Sequence, residues 1–188
     1  MRYDKKRILR ILVIYSAFIG FLLLGFALKA FQGDALNKTK EGNMKLTSVF
    51  LNGEKIPIIY TCDGDDVSPE LTISEVPDNA KSLVLIVDDP DAPVGLFVHW
   101  ILYNIPTSTT KISSEKVPHG AVAGMTDFGR IGYGGPCPPS GSHRYFFKLY
   151  AIDKVLDLPY GTTKTQLDYA INGHIIEKTQ LIGMYSRK

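Results

Sequence analysis

Hydrophobic and polar positions divide the chain into four parts with different patterns. Residues 1–10 are polar and basic, 11–28 form an apolar run without a charged side chain, and 29–44 are polar and aperiodic. From residue 45 to 188, short apolar runs alternate with polar loops. A helix over 11–28 would span about 27 Å, close to the thickness of a bilayer core. We therefore expect a transmembrane anchor at 11–28, a linker at 29–44 and a folded domain at 45–188.

The basic flank before the apolar run predicts the orientation of this anchor. Five Lys and Arg side chains lie in residues 1–10, which keeps that flank cytoplasmic and places the domain on the extracytoplasmic side of the membrane. The alternative is a signal peptide that is cleaved on export. The apolar part of such a peptide is usually about 7–15 residues long, and Leu28-Lys29-Ala30 is a poor cleavage site.

The domain itself shows the pattern of an all-β fold. Its apolar runs are short and are separated by loops rich in Pro, Gly, Ser and Asp, which favours a β-sandwich over a parallel α/β sheet. We predict strands at 45–51, 82–87, 97–105, 145–152 and 180–185.

One helix is predicted near the end of the domain. Its apolar face would consist of residues at helical spacing, namely Leu167, Ala170, Ile171, His174 and Ile175. Thr163 and Gln166 have the spacing of a capping box in front of it. The sequence thus predicts a β-sandwich with one or two short peripheral helices, and places His174 on the packed face of one of them.

The charge distribution argues against nucleic acid as a partner. Eight of the 21 Lys and Arg residues lie in the first 44 positions, together with only three of the 19 Asp and Glu residues. The remainder of the chain is therefore mildly acidic, and no basic stripe or nucleic-acid-binding motif is present.

Candidate chemistry is concentrated at the ends of the predicted strands. Asp88, Asp89 and Asp91 follow a buried strand within a stretch stiffened by two prolines. Because three neighbouring carboxylates repel one another, we expect a cation nearby. Arg144 is the best candidate, since a guanidinium binds a carboxylate in a bidentate way.

Two histidines accompany this acidic loop. Strand alternation places His99 and Trp100 on opposite faces, and it places His143 and Tyr145 on one face with Arg144 on the other. The glycine-rich loop at 132–141 either offers backbone N–H groups to an anion or is only a long structural loop.

Cys62 and Cys137 are the only cysteines of the chain. A disulfide and two free thiols both remain open, and neither cysteine has the spacing of a metal site. The acids and histidines leave a metal-assisted hydrolase as an alternative to a binding protein. The sequence contains no nucleophile elbow, His-Glu-x-x-His motif or Walker loop.

Several short motifs follow one another along 45–188. They are Asp88-Asp89-Pro90-Asp91-Ala92-Pro93, His99-Trp100, Asp127-Phe128-Gly129, Gly134-Gly135-Pro136-Cys137-Pro138-Pro139, His143-Arg144-Tyr145 and Gly183-Met184-Tyr185. In these motifs the chain resembles the phosphatidylethanolamine-binding protein family, in particular its bacterial Raf-kinase-inhibitor-like branch. The resemblance covers nearly all of 45–188 and does not include the apolar run.

The resemblance implies a β-sandwich with a small anion pocket at one end. Carried over by position, the ligand-binding residues are Asp89, Asp91, Pro93, His99, Gly135, Pro136, His143 and Tyr145. Arg144 and Trp100 would support the site. The expected ligands are phosphate, phosphorylated head groups and carboxylates. We expect His99 and His143 to donate hydrogen bonds to them, with Tyr145 and an N–H of the glycine loop completing the site.

The function expected from this resemblance is binding without catalysis. We expect no cofactor, no metal and no enzymatic activity, and a possible effect on a partner kinase or protease. Two alternatives stay open: a metal-assisted hydrolase that uses the same acids and histidines, and an inhibitor or interaction module whose pocket is vestigial.

Overall fold

A computed structural model of the chain describes residues 42–187. The strands in this part are β1 (Lys45–Ser48), β2 (Leu71–Ser74), β3 (Ser82–Asp89), β4 (Phe97–Ile105), β5 (Lys111–Ile112), β6 (Val122–Ala123), β7 (Ser142–Ile152) and β8 (Ile175–Ser186). The helix α1 spans Lys164–Ile171, and a single 3-10 turn spans Ile58–Tyr60.

The strands form two antiparallel sheets. The smaller sheet has the order β1-β2-β5, and the larger has the order β6-β4-β3-β7-β8. Strand β3 lies at the centre of the larger sheet, and all eight of its residues are buried. This explains its uninterrupted apolar sequence, because a central strand that is covered on both faces has no solvent-facing positions to fill with polar residues.

The larger sheet therefore has two covered faces. We call the side packed against the smaller sheet the front face; its buried side chains include Leu85, Val87 and Phe147, which pack with Leu71 and Ile112 of the smaller sheet. Burial of this apolar surface is the main source of the sandwich's stability.

The opposite side, which we call the back face, is covered by α1. Val84, Ile86 and Ile101 pack there with Leu167 and Ile171 of the helix. Alternation along β3 thus sends successive side chains into two separate cores.

The helix begins as predicted and ends earlier. Thr163 caps its first turn, with the reciprocal Gln166 contacts of a capping box. The last helical residue is Ile171, because Asn172 is extended and Gly173 has φ +78°. The prediction that His174 lies on the packed helical face is therefore wrong. Its ring is partly exposed, and Nδ1 contacts Asp153 Oδ1 at 2.7 Å.

The fold-class prediction needs one correction. It placed a transmembrane helix at 11–28 in front of the sandwich, and those residues lie outside the described part of the chain. Within residues 42–187, no helix is long and apolar enough to cross a membrane. The fold that residues 42–187 support is a mostly-β domain with one α-helix.

Cys62 and Cys137 form a disulfide. It joins the segment after the 3-10 turn to the glycine-rich loop, across a sequence separation of 75 residues. This settles the choice left open by the sequence in favour of a bridge.

Candidate functional site

The acidic loop at the end of β3 sends its carboxylates in different directions. Asp88 is buried toward the back face, where Lys148 Nζ lies 2.7 Å from its Oδ2. Asp89 is buried toward the front face, and its Oδ2 lies 2.7 Å from Nδ1 of His143. The alternation of the strand thus assigns one acid to each core.

The third acid, Asp91, is tied to Arg144. The guanidinium donates to both carboxylate oxygens, at 2.9 and 2.7 Å, and the backbone N–H of Arg144 donates a third bond at 2.9 Å. Arg144 lowers the pKa of Asp91 to about 2, mainly through these side-chain hydrogen bonds. The expected bidentate pairing of Arg144 with an acid of the loop is present, and it holds the loop against β7.

A β-bulge in β4 determines the face of the sheet on which His99 lies. Val87 pairs with Trp100, whereas the next residue, Asp88, pairs with Val98, so β4 contains one extra residue at His99. His99 packs edge-to-face on Tyr145 at 5.1 Å, and Trp100 lies in the same buried cluster as Tyr145. The prediction that His99 and Trp100 face opposite sides is therefore wrong, because the bulge interrupts the alternation.

The ring of His99 is fixed by a backbone group. Its Nδ1 lies 2.7 Å from the carbonyl oxygen of Gly134, and its faces and edges meet Phe97, Phe128 and Tyr145. Burial lowers the pKa of His99 below its ordinary value, although the Gly134 carbonyl acts in the opposite direction. This combination favours the neutral imidazole.

Two N–H groups of the glycine-rich loop are bonded within the protein. The N–H of Gly134 donates to the carbonyl of His99, and the N–H of Gly135 donates to Asp66 Oδ1 at 2.6 Å. The carbonyl of Pro136 accepts from the N–H of Cys62. The N–H groups of Gly134 and Gly135 are thus occupied within the protein and do not donate to a ligand in this arrangement.

Tyr145 presents a polar group without a partner. Its side chain is buried, and its hydroxyl makes no hydrogen bond to the described residues. Burial raises the pKa of Tyr145 far above its ordinary value. The charge and the acceptor oxygens of the nearby Asp89 carboxylate add to this effect, and the backbone N–H of Cys137 opposes it, although neither group makes a hydrogen bond of good geometry to the hydroxyl. A buried hydroxyl that lacks a partner loses the free energy of a hydrogen bond, so its position calls for a bound group.

These side chains meet in a cavity of 170 Å³ at one end of the sandwich. Its walls are formed by Asp89, Ala92, Pro93, Val94, Phe97, His99, Phe128, Cys137, Pro138, Pro139, His143 and Tyr145.

The structure brings five of the eight predicted ligand-binding residues into this cavity, namely Asp89, Pro93, His99, His143 and Tyr145. The other three, Asp91, Gly135 and Pro136, do not line it. They hold the acidic loop and the glycine-rich loop in place, and other residues of those loops line the cavity. Of the two predicted supporting residues, Arg144 holds the acidic loop, and Trp100 packs in the core beside Tyr133.

Sequence reasoning missed most of the apolar walls. Phe97 and Phe128 pack edge-to-face at 4.9 Å, and both contact the His99 ring. Phe97 lies two positions before His99, so the alternation of a strand predicts that the two side chains share a face. Phe128, Pro138 and Pro139 belong to motifs that the sequence displayed, but nothing in the spacing showed that they face one cavity.

No group of three His, Cys, Asp or Glu side chains is arranged to hold a metal ion within residues 42–187. What the cavity does contain is an imidazole bound to a carboxylate, a second imidazole bound to a carbonyl, and a free hydroxyl. Such a set can exchange hydrogen bonds with a small polar group, and its aromatic and proline walls can cover an apolar attachment.

Comparison with known proteins agrees with the architecture. The family model described as phosphatidylethanolamine-binding protein matches residues 46–186. A UPF0098 protein of Aquifex aeolicus is 49% identical over 145 residues, which cover 73% of this chain and 85% of that protein. A UPF0098 protein of Pyrococcus horikoshii is 49% identical over 154 residues, covering 78% of each.

Solved structures show the same fold. A phosphatidylethanolamine-binding protein homolog from Chlamydia trachomatis superposes with a TM-score of 0.74 at 46% identity, covering 77% of this chain and 98% of that one. The Escherichia coli protein YbcL, described as a new member of the mammalian family, gives a TM-score of 0.72 at 32% identity, covering 77% and 99%.

Proposed function

Because the chain belongs to the phosphatidylethanolamine-binding protein family, we propose that its cavity binds small anions such as carboxylates, phosphate and phosphorylated head groups. The observation that carries this proposal is the buried, unpartnered hydroxyl of Tyr145, which faces the same cavity as His99 and His143. A ligand oxygen placed there would accept the hydrogen bond that Tyr145 lacks.

The surroundings of this hydroxyl support a small head group with an apolar attachment. His99 and His143 are each held by one ring nitrogen, which leaves Nε2 of each ring for a ligand. Phe97, Phe128 and the proline pair line the walls, and cavities of about this volume accommodate a benzene-sized group.

We also propose that the site binds without catalysing a reaction. The Asp89–His143 pair resembles the orienting half of a catalytic triad, and Tyr145 is the hydroxyl beside it. Burial raises the pKa of Tyr145, which makes this hydroxyl a poor nucleophile at neutral pH. Turnover of p-nitrophenyl acetate or p-nitrophenyl phosphate that is lost in His143→Ala would overturn this part of the proposal.

The disulfide supports a place of action outside the cytoplasm. Disulfides persist in oxidising compartments and are rare in the cytosol of most organisms. We therefore propose that the domain works in an extracytoplasmic compartment. Rapid thiol alkylation of intact cells should leave Cys62 and Cys137 unlabelled until a reductant is added, and prompt labelling would contradict the location.

Modulation of a partner kinase or protease stays a proposal that depends on ligand binding. Val94 and Phe128, at the mouth of the cavity, are both exposed. They could contact a protein that presents an anionic group to the pocket. A partner captured by the wild type and lost in Tyr145→Phe would support this, whereas capture that is independent of Tyr145 would contradict it.

Calorimetry on the full-length chain tests the binding proposal. We expect acetate, phosphate and phosphoethanolamine to bind at pH 6, and Tyr145→Phe to weaken binding about tenfold, the value of one hydrogen bond to a charged group. Tyr150→Phe is the matched control, because Tyr150 lies on the same strand and packs against the back-face core. Absence of binding by all three probes would overturn the proposal.

A further inference from the structure

We infer that the pocket binds its anion together with one proton, held on Nε2 of His143, and therefore takes singly charged acids in preference to dianions. The inference rests on the proposed anion binding and adds the protonation state of the complex.

The carbonyl of Gly134 fixes the tautomer of His99. A carbonyl oxygen can only accept a hydrogen bond, so the contact with Gly134 places a proton on Nδ1 of this ring. Burial favours the neutral ring, and in that tautomer Nε2 carries a lone pair. Toward a ligand, His99 is then an acceptor and cannot hold an anion.

The ring of His143 is bonded to a carboxylate instead of a carbonyl. Its Nδ1–H donates to Asp89, whose other oxygen accepts the backbone N–H of Asp91. The carboxylate of Asp89 therefore lies directly against the ring and balances the charge of an imidazolium. His99 has only a neutral carbonyl in the same role. A second proton in the pocket is therefore stabilised on His143.

The cations near the acidic loop are committed elsewhere. Arg144 is bonded to Asp91 on the exposed side of β7, and Lys148 is bonded to Asp88 on the back face. The titratable side chains that line the cavity are Asp89, His99, His143 and Tyr145. Tyr185 stands opposite His143 on β8, and its hydroxyl donates to Asp63.

Charge balance then decides the form of the complex. Without an added proton, a bound anion would lie beside the buried carboxylate of Asp89, and like charges in a poorly solvated site repel strongly. With a proton on Nε2 of His143, the Asp89–His143 pair is neutral overall and donates a hydrogen bond to the anion. A monoanion bound with one proton leaves the net charge of the pocket unchanged, whereas a dianion bound with one proton adds a negative charge between aromatic walls, which is why a monoanion is preferred.

Acetate is the probe that isolates the protein's own proton, because it stays ionised from pH 6 to 8.5. We expect calorimetry in buffers of different ionisation enthalpy to show uptake of about one proton per acetate at pH 8. Affinity should then fall about tenfold per pH unit around that pH, because each binding event takes up one proton. At pH 8 dimethyl phosphate, a diester that stays a monoanion, should bind at least about tenfold more tightly than inorganic phosphate, which is then mostly a dianion.

Variants locate the proton. His143→Asn should abolish the uptake, whereas His99→Asn should retain it. His174→Asn is the matched control, because His174 makes the same 2.7 Å contact with an aspartate at the surface, away from the pocket. Nitrogen-15 spectra of the wild-type imidazoles provide a readout that does not depend on how the variants fold. Acetate should convert His143, and not His99, to the doubly protonated form.

The outcomes separate the two proposals. Binding of acetate that is independent of pH and exchanges no proton would overturn the inference and leave anion binding intact. Protonation at His99 would also overturn it. If none of the probes binds between pH 5.5 and 8.5, the proposed function itself fails.

Discussion

Asp66 accepts the backbone N–H of Gly135 at 2.6 Å, and this contact holds the glycine-rich loop in place from a position 69 residues away. The other oxygen of Asp66 pairs with Arg130 at 2.9 Å. A Cβ at Gly135 would lie 2.6 Å from the carbonyl oxygen of Tyr60, so the loop is packed directly on this segment. The glycine is needed here for close approach of two backbones.

Removal of the Asp66 carboxylate should loosen the loop. We expect Asp66→Ala to lower the free energy of unfolding by about 1–3 kcal/mol, because the N–H of Gly135 loses its acceptor. Ala is also disfavoured at φ +57°. Acetate affinity should fall as well, since Cys137, Pro138 and Pro139 of this loop line the cavity. Chemical denaturation and calorimetry measure the two effects.

Two variants serve as controls for this prediction. Asp66→Asn keeps the acceptor oxygen and tolerates the backbone conformation, so it should cost no more than about 1 kcal/mol, the value of an exposed ion pair. Asp65→Ala changes the exposed neighbour and should have little effect. Equal effects of all three variants would show that the contact does not hold the loop.

The disulfide should contribute substantially to stability. For a closed loop of this size, the restriction of the unfolded chain is worth about 4 kcal/mol. The Cys62→Ser/Cys137→Ser double variant should therefore unfold at a lower guanidinium concentration than the oxidised wild type. A reductant should shift the wild type toward the variant and leave the variant unchanged. Equal midpoints for the oxidised wild type and the variant would contradict the prediction.

Burial of the Asp88–Lys148 pair should lower the stability of the folded state by an amount that depends on pH. Burial raises the folded-state pKa of Asp88 above its unfolded value, while Lys148 lowers it. A raised carboxyl pKa means that the charged form destabilises the folded state at neutral pH, and that this cost disappears as the pH falls through the folded-state value.

Lys148→Met leaves the carboxylate of Asp88 buried without its cation. We expect a loss of about 3 kcal/mol in unfolding free energy at pH 7, the lower end of values for broken buried pairs, and a smaller loss near pH 4.5. Lys178→Met, at an exposed position of the neighbouring strand, is the control and should change stability little. A loss that is the same at both pH values would show that Asp88 does not titrate in this range.

The contribution of the Asp91–Arg144 pair to stability depends on pH in the opposite direction. Arg144 lowers the pKa of Asp91 to about 2, so the pair's contribution is present above the unfolded value of about 3.9 and is lost as the pH falls toward 2. Arg144 is half exposed, so solvent screening keeps this contribution small.

Carboxyl NMR titration can follow this pair directly. In Arg144→Gln the pKa of Asp91 should rise toward the ordinary value for aspartate. In the wild type, 0.5 M salt should produce a smaller rise in the same direction, because an exposed pair is screened. If the substitution leaves the pKa of Asp91 unchanged, the bidentate contact does not persist in solution.

Much of the local structure could be predicted because its causes are local. The apolar run at 82–87 and the run at 97–105 correspond to β3 and β4, and the Thr163–Gln166 capping box marks the start of α1. Tyr145 and His143 share a buried face because β7 alternates without interruption at that point. In each case the signal lies within a few residues of the feature it predicts.

The errors, and the choice left open for the cysteines, arose where distant segments decide the outcome. The bulge at His99 depends on the register between β3 and β4, which no pattern within β4 displays. The N–H of Gly135 is occupied by Asp66, and the disulfide joins positions 75 residues apart. The helix was predicted too long because the apolar spacing continues past Asn172, where the backbone turns away.

The sequence by itself determined the all-β domain, most of its strands and the motifs that supply the site's acids, imidazoles and phenol, because periodicity and residue chemistry are properties of short segments. Only the tertiary structure decided that Asp89 orients His143 while Asp88 faces the helix, that the N–H groups of Gly134 and Gly135 are occupied, and that Phe97 and Phe128 enclose His99. Those outcomes depend on which segments pack together, and packing is a property of the whole chain.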